Sequence, residues 1–222
     1  RLFDPVQGAA ARARTLAAGQ LDDLRAAGLL DEAPEAVLAR ITVADDLATA
    51  LAGVAWVQES APEDLAVKRA LWAEMDSLAP ADALLASSTS ALLPSAFTEG
   101  LPGRGRCLVA HPLNPPHVIP AVEICPAPWT TPATMAAAEE LVRGIGQRVI
   151  VMRREIDGFI MNRLQAALVE EAMKLIGAGI CGPEDIDIGL RDGLALRWSF
   201  AGPFETCDLN APGGIRDYIG RY

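Results

Sequence analysis

The segment His111-Pro112-Leu113-Asn114-Pro115-Pro116-His117 holds both histidines of the 222-residue chain. It lies between two apolar runs, Cys107 to Ala110 and Val118 to Ile124, and its three prolines make a stiff, non-helical connection. If the two runs pair antiparallel about His117, then His111 and Glu123 each stand six residues from the centre and face one another. A carboxylate against an imidazole makes a general base, because it stabilises the imidazolium and fixes the tautomer of a side chain that already titrates near neutral pH. The alternative is a histidine satisfied by a backbone carbonyl at a strand end. His117 has no assignable partner.

Two further clusters place polar groups where chemistry is possible. Ser87-Ser88-Thr89-Ser90 directly follows the buried-looking run Ala83 to Ala86. Hydroxyls at the carboxyl end of a strand in an open α/β sheet lie where ligands bind, and the same residues equally suit an N-cap and turn before a helix near 93 to 98. In the stretch Gly158 to Gln165, Asn162 and Gln165 punctuate an apolar helix start. Asn162 there either satisfies a neighbour or faces a ligand. Cys107, Cys125, Cys181 and Cys207 lie far apart with no C-x-x-C pair, which argues against a metal site and for reduced structural thiols in the cytoplasm.

An α/β framework must position these groups. Short β-rich runs at Leu2-Phe3, Ile41 to Val43, Val54 to Val57, Ala83 to Ala86, Cys107 to Ala110, Val118 to Ile124 and Arg148 to Met152 alternate with helical stretches near 5 to 27, 62 to 79 and 131 to 146. The alternation predicts βαβ units and a parallel sheet, and so an α/β fold. The helix near 62 to 79 opens with Ser60-Ala61-Pro62-Glu63, a cap residue, a first-turn proline and an acid. After Met152 the strand signals stop, and helices near 157 to 178 and 183 to 191 run into a turn-rich segment. The expected division is therefore 1–152 for the sheet domain and 153–222 for the start of an all-helical domain. The first strand is a stub ending at Asp4, as if the chain began inside a βαβ unit. In a dinucleotide fold an acid in that place binds the adenosine ribose, about 20 residues after a Gly-rich loop, which would here precede Arg1. Many other strands also end in an acid.

Composition narrows the partners. With 51% apolar residues the chain can bury one good core or two modest ones. Its formal charge of -10, from 19 basic and 29 acidic residues, argues against nucleic acid or an anionic membrane surface. A small anionic substrate would need a local basic pocket. No stretch approaches the roughly 20 apolar residues of a membrane span, and the first residues are unlike a signal peptide, so a soluble intracellular chain is expected.

Taken together these segments resemble the L-3-hydroxyacyl-CoA dehydrogenase superfamily, and within it the lambda-crystallin and L-gulonate 3-dehydrogenase branch. The resemblance rests on Ser87 to Ser90, His111 to Pro116, Ile119 to Glu123, Gly158 to Gln165, and Gly202 to Thr206 with Leu209-Asn210-Ala211. It implies His111 as base with Glu123 as its partner, and Ser90 and Asn162 holding the substrate oxygen. It implies a Rossmann-type, mostly parallel sheet followed by an all-helical domain, and NAD as cofactor, with Asp4 as the ribose acid and Glu63, Lys68 and Asn114 contacting or flanking it. It also implies a homodimer through the helical domain and a small 3-hydroxy acid as substrate, whose free carboxylate Arg197 would bind. The other reading of Arg197 is a surface residue beside Trp198. Carnitine 3-dehydrogenase and 3-hydroxyacyl-CoA dehydrogenase are the alternative activities. A chain without the Gly-rich loop and with a truncated helical domain could instead be an inactive fragment or a crystallin-like structural protein.

Overall fold

Five short runs rich in apolar residues pair into one sheet: β1 (Trp56–Glu59), β2 (Leu84–Ser87), β3 (Cys107–Pro112), β4 (Ala121–Pro126) and β5 (Arg148–Val151), neighbours in that order. The computed structural model describes residues 1–221. β1, β2 and β3 are parallel, β4 is antiparallel to β3, and β5 is parallel to β4. Helices α1 (Ala9–Ala26), α2 (Pro34–Leu38) and α3 (Leu47–Leu51) precede β1. α4 (Leu65–Leu78) joins β1 to β2, α5 (Pro94–Thr98) lies between β2 and β3, and α6 (Pro132–Gly144) joins β4 to β5. This mostly parallel sheet with its connecting helices is Rossmann-like, within the α/β class that the alternating pattern predicts. Helices alone follow: α7 (Met161–Gly177), α8 (Pro183–Ile188), α9 (Ala195–Trp198), α10 (Pro203–Leu209) and α11 (Gly214–Arg221), with a π-helical stretch at Gly189–Leu194. The chain forms two compact units, Arg1–Asn162 and Arg163–Tyr222. Among the described residues no helix is long and apolar enough to cross a membrane, and no group of three or more His, Cys, Asp or Glu side chains is placed to hold a metal ion.

Successive strand side chains point to opposite faces of the sheet, so each strand feeds two cores. Leu85, Cys107, Val109 and Cys125 pack on one face with Trp72, Met75, Phe97 and Phe159. Ala86, Leu108, Ala110, Val122 and Ile124 pack on the other with Ala138 and Val142 of α6. Burying a side chain such as Leu85 or Val109 contributes about 1.5–3 kcal/mol. The same alternation assigns Glu59, Ser87, His111 and Glu123 to the first face, since Glu59 is the register partner of Ser87 and His111 that of Glu123. These four polar residues cluster where β1, β2 and β3 end, and all four are buried.

Several elements begin later than their sequence signals suggest, each for a local reason. The stub at Leu2-Phe3 makes a single parallel bridge, Leu2 to Val43, in place of a strand. α1 starts at Ala9 rather than near residue 5, because the Asp4 carboxylate accepts from the Val6 N–H at 2.7 Å and Gly8 takes a left-handed turn at φ 76°. α4 starts at Leu65 with Asp64 as its cap, accepting from Val67 N–H; Ser60 lies outside the helix, its hydroxyl 3.1 Å from that of Ser88. β4 starts at Ala121 rather than Val118, since Pro115, Pro116 and Pro120 lack the N–H that a ladder needs and Ile119 N–H turns back to the Pro115 carbonyl.

Candidate active site

The antiparallel hairpin sets the central pair. His111 and Glu123 face each other across β3 and β4, with His111 Nδ1 2.9 Å from Glu123 Oε2. An ionised carboxylate only accepts, so Nδ1 carries the proton and donates it to Glu123. The lone pair of Nε2 is left free for chemistry, and the imidazole retains 7% of its surface. Glu123 is fully buried, and its second oxygen accepts from the backbone N–H groups of Ile160 and Met161, each at 2.8 Å. Burial alone drives this carboxyl upward, yet the bonds from His111, Met161 and Ile160 together outweigh it and hold the group below its ordinary 4.5.

Backbone geometry before α7 makes that second contact possible. Gly158 and Phe159 both lie in the left-handed region, at φ 76° and 49°. For a bulky residue this costs on the order of 1–3 kcal/mol, so the surroundings must enforce it. The Phe159 ring is fully buried, its centroid 5.8 Å from that of the His111 imidazole. One residue after Met161, Asn162 Nδ2 donates to the Ser90 carbonyl at 2.7 Å. Residues 160–162 thus tie the His111–Glu123 pair to the loop that carries Ser90.

That loop is held from the other side by acids. Glu63 accepts from the Thr89 hydroxyl through both oxygens, at 2.8 and 2.7 Å, and from Ser90 N–H at 2.6 Å. Thr89 Oγ1 in turn accepts from the Ala91 and Leu92 N–H groups, so Thr89 supplies the local turn. The helix α5 is entered through Leu93 without a side-chain cap, and the serine run does not cap it. Ser90 is exposed. Lys68 is not: it is 1% exposed, with Nζ on Glu59 Oε1 at 2.8 Å and on the Ala61 carbonyl at 3.2 Å. Glu59 also accepts from Trp72 Nε1 at 3.1 Å, from Ser87 Oγ at 2.6 Å and from Ala61 N–H. This buried acid was not singled out by sequence spacing. The signal available was an acid closing a short apolar run, the same signal that marked Asp4.

The remaining sequence-derived residues make none of these hydrogen bonds. Asn114 is exposed in the proline-rich connection between β3 and β4, and Arg197 is exposed on α9 of the second unit. His117 Nδ1 has no hydrogen-bond partner among the described residues. Asp4 lines a cleft of about 560 Å³ formed by residues 3–8, 10–11 and 43–46. An exposed carboxylate at the end of a strand stub fits the paired hydroxyls of a ribose, since it can only accept. Asp45 and Asp46 share the cleft and no Arg or Lys lines it, so it suits an unphosphorylated ribose and disfavours a 2′-phosphate.

Residues 1–156 match the sequence model described as 3-hydroxyacyl-CoA dehydrogenase, NAD binding domain, and residues 158–221 match 3-hydroxyacyl-CoA dehydrogenase, C-terminal domain. Lambda-crystallin of the rabbit, Oryctolagus cuniculus, is 45% identical over 188 residues, covering 85% of this chain and 59% of the rabbit protein. The L-carnitine dehydrogenase of Streptomyces griseus is 38% identical over 221 residues, covering 99% of this chain and 65% of that enzyme. A solved structure of 5-formyl-3-hydroxy-2-methylpyridine 4-carboxylic acid 5-dehydrogenase, an NAD+ dependent dismutase, superposes with a TM-score of 0.86 at 28% identity, covering 99% of this chain and 70% of that one. The chain spans about 59% of the length of its lambda-crystallin relative.

Proposed function

The chain belongs to the 3-hydroxyacyl-CoA dehydrogenase family, and from that premise we propose that it oxidises the 3-hydroxyl of a small hydroxy acid in the manner of an L-gulonate 3-dehydrogenase. The cofactor is NAD, for which the matching N-terminal domain is named. The observation that carries the reading is the bond of 2.9 Å between His111 Nδ1 and the buried Glu123, which leaves Nε2 as the basic nitrogen.

In this reading Asp4 holds the adenosine ribose, with Glu63, Lys68 and Asn114 on the nicotinamide side. NAD, when bound, supplies the acceptor for the hydride that leaves the alcohol carbon. His111 Nε2 takes the hydroxyl proton as the carbonyl forms, and Glu123 stabilises the resulting imidazolium. Ser90 Oγ and the second N–H of Asn162 hold the developing carbonyl oxygen, an arrangement commonly worth a few kcal/mol per donor in the transition state. Lys68 acts here through the loop it braces, because its ammonium is committed to Glu59 and Ala61.

The acid end of the substrate is assigned to Arg197, whose guanidinium can grip a carboxylate with two parallel bonds. The Arg197→Ala variant should raise KM for the acid, and an unchanged KM removes that role. L-carnitine is the second reading, favoured by 38% identity to a carnitine dehydrogenase over nearly the whole chain. Its trimethylammonium group calls for aromatic faces, for which Trp198 and Phe200 are available. We also assign a homodimer built through the second unit, supported by exposed apolar residues of α7 such as Leu164 and Met173, at 60% and 63%. NADH formation by the full-length polypeptide with L-gulonate, L-carnitine and a 3-hydroxyacyl-CoA, each beside His111→Ala, tests the activity. Turnover of L-gulonate that disappears in the variant is expected. Turnover that survives in His111→Ala, or none with any substrate, overturns it.

A further inference from the structure

Ser90 is held by its backbone at both ends while its hydroxyl is left over. Its N–H donates to Glu63 Oε1 at 2.6 Å and its carbonyl accepts from Asn162 Nδ2 at 2.7 Å. The preceding Thr89 is fastened twice: its hydroxyl donates to Glu63, and its N–H donates to Ser87 Oγ at 3.1 Å. Ser87 itself donates to Glu59. Glu59 at the end of β1 and Glu63 in the segment that follows it therefore hold Ser87, Thr89 and Ser90.

The end of β1 and the segment after it are braced by Lys68 of α4. Lys68 Nζ bonds Glu59 Oε1 and the Ala61 carbonyl and stands 3.9 Å from Glu63 Oε2, so one buried ammonium lies between two carboxylates. Removing water from such a pair is costly, and what it secures in return is placement. The side chain of Glu63 is 45% exposed, in contrast to the sealed Glu59 and Lys68, and only Glu63 reaches across to the serine.

We propose that Glu63, braced by the buried Glu59–Lys68 pair, is a positioning residue that aims the Ser90 hydroxyl at the substrate oxygen. It acts through the Ser90 N–H and the Thr89 hydroxyl. The inference rests on the reading of Ser90 as a donor to that oxygen. Displacement of a positioned group by about 1 Å costs on the order of a hundredfold in rate, so loosening one of two backbone anchors should cost about tenfold or more.

The test uses the full-length polypeptide, the fastest substrate of the panel above and a cycle of four proteins: the parent, Glu63→Ala, Ser90→Ala and the double variant. Because Glu63 is half exposed, its replacement leaves the cores intact. Glu63→Ala should lower kcat about tenfold in the parent and less than about twofold once Ser90 is already alanine. Rates are read at saturating NAD, with NADH affinity followed separately by fluorescence titration, so that a contact of Glu63 with the cofactor does not enter kcat. Glu63→Gln, which keeps an acceptor for the Ser90 N–H, should be at least about fivefold faster than Glu63→Ala. Equal losses in both backgrounds, or a loss confined to NADH affinity, overturn the positioning role and leave Glu63 as a cofactor contact. If Ser90→Ala has no effect on kcat, the underlying reading of the site fails and takes the inference with it.

Discussion

Replacing Glu123 by glutamine exchanges one oxygen for an amide nitrogen in a site where three donors converge on a carboxylate: His111 Nδ1–H and the N–H groups of Ile160 and Met161. If the amide NH2 turned toward the helix, two buried backbone donors would lose their acceptor, at about 1–3 kcal/mol each. If it turns toward His111, the imidazole can adapt by moving its proton to Nε2 and accepting at Nδ1. The second orientation therefore wins, and it blocks the nitrogen proposed as the base. The structural cost is the loss of one charge-assisted bond, about 1.5–3 kcal/mol, or roughly 3–12 °C in Tm for a chain of this size. The catalytic cost is far larger, because the analogous wrong-tautomer carboxamide in a serine-protease triad lowers kcat by about 10⁴. We expect Glu123→Gln to remain folded by circular dichroism, to show the Nε2–H tautomer by imidazole nitrogen NMR, and to lose about 10³–10⁴ in NADH formation rate. A folded variant with kcat within about tenfold of the parent would refute the reasoning.

Three other outcomes follow from the same coordinates. Burial pushes the thiols of Cys107 and Cys125 up to about 12, so neither should react with a thiol reagent near pH 8 in the native protein, whereas both should do so after denaturation; labelling with peptide mapping reads this directly. Because Glu123 is held below its ordinary 4.5 in the folded state, the stability it contributes is fully present above about pH 4.5 and is lost as pH falls through the lower folded value; urea titrations from pH 6 to pH 3 should show a shallower acid loss in Glu123→Gln than in the parent. Asp4→Ala should raise KM for NAD by roughly 10- to 150-fold, the worth of a bond to a charged acceptor, and should narrow the preference over NADP; an unchanged nucleotide preference would remove Asp4 from the cofactor site.

The central pair of the candidate site was legible in local sequence because it depends on strand register. Once Cys107 to Ala110 and the run ending at Ile124 pair about His117, parity alone sets His111 opposite Glu123, and the structure has that register. Asp4 and the cluster Ser87 to Ser90 were picked out by a similarly local signal, each following an apolar run, and the resemblance to the family singled out Ser90 within the cluster. Periodicity likewise determined the alternation of strands and helices and the change to helices alone after β5, because side-chain direction in each element is a local property.

What local pattern could not reach were contacts between different elements. Glu63 holding Ser90, Asn162 holding the same residue from 72 positions away, and Lys68 of α4 sealed against Glu59 of β1 arise only when the tertiary fold brings these segments together at the ends of the strands. The starts of α1, α4 and β4 were misplaced because side-chain caps and prolines compete with the hydrophobic pattern at element ends. The left-handed Phe159 is the clearest case. Its sequence neighbours ask for a helix start, and only the buried carboxylate of Glu123, waiting for two N–H groups, together with the core packed around the ring, makes the unfavourable backbone the stable one.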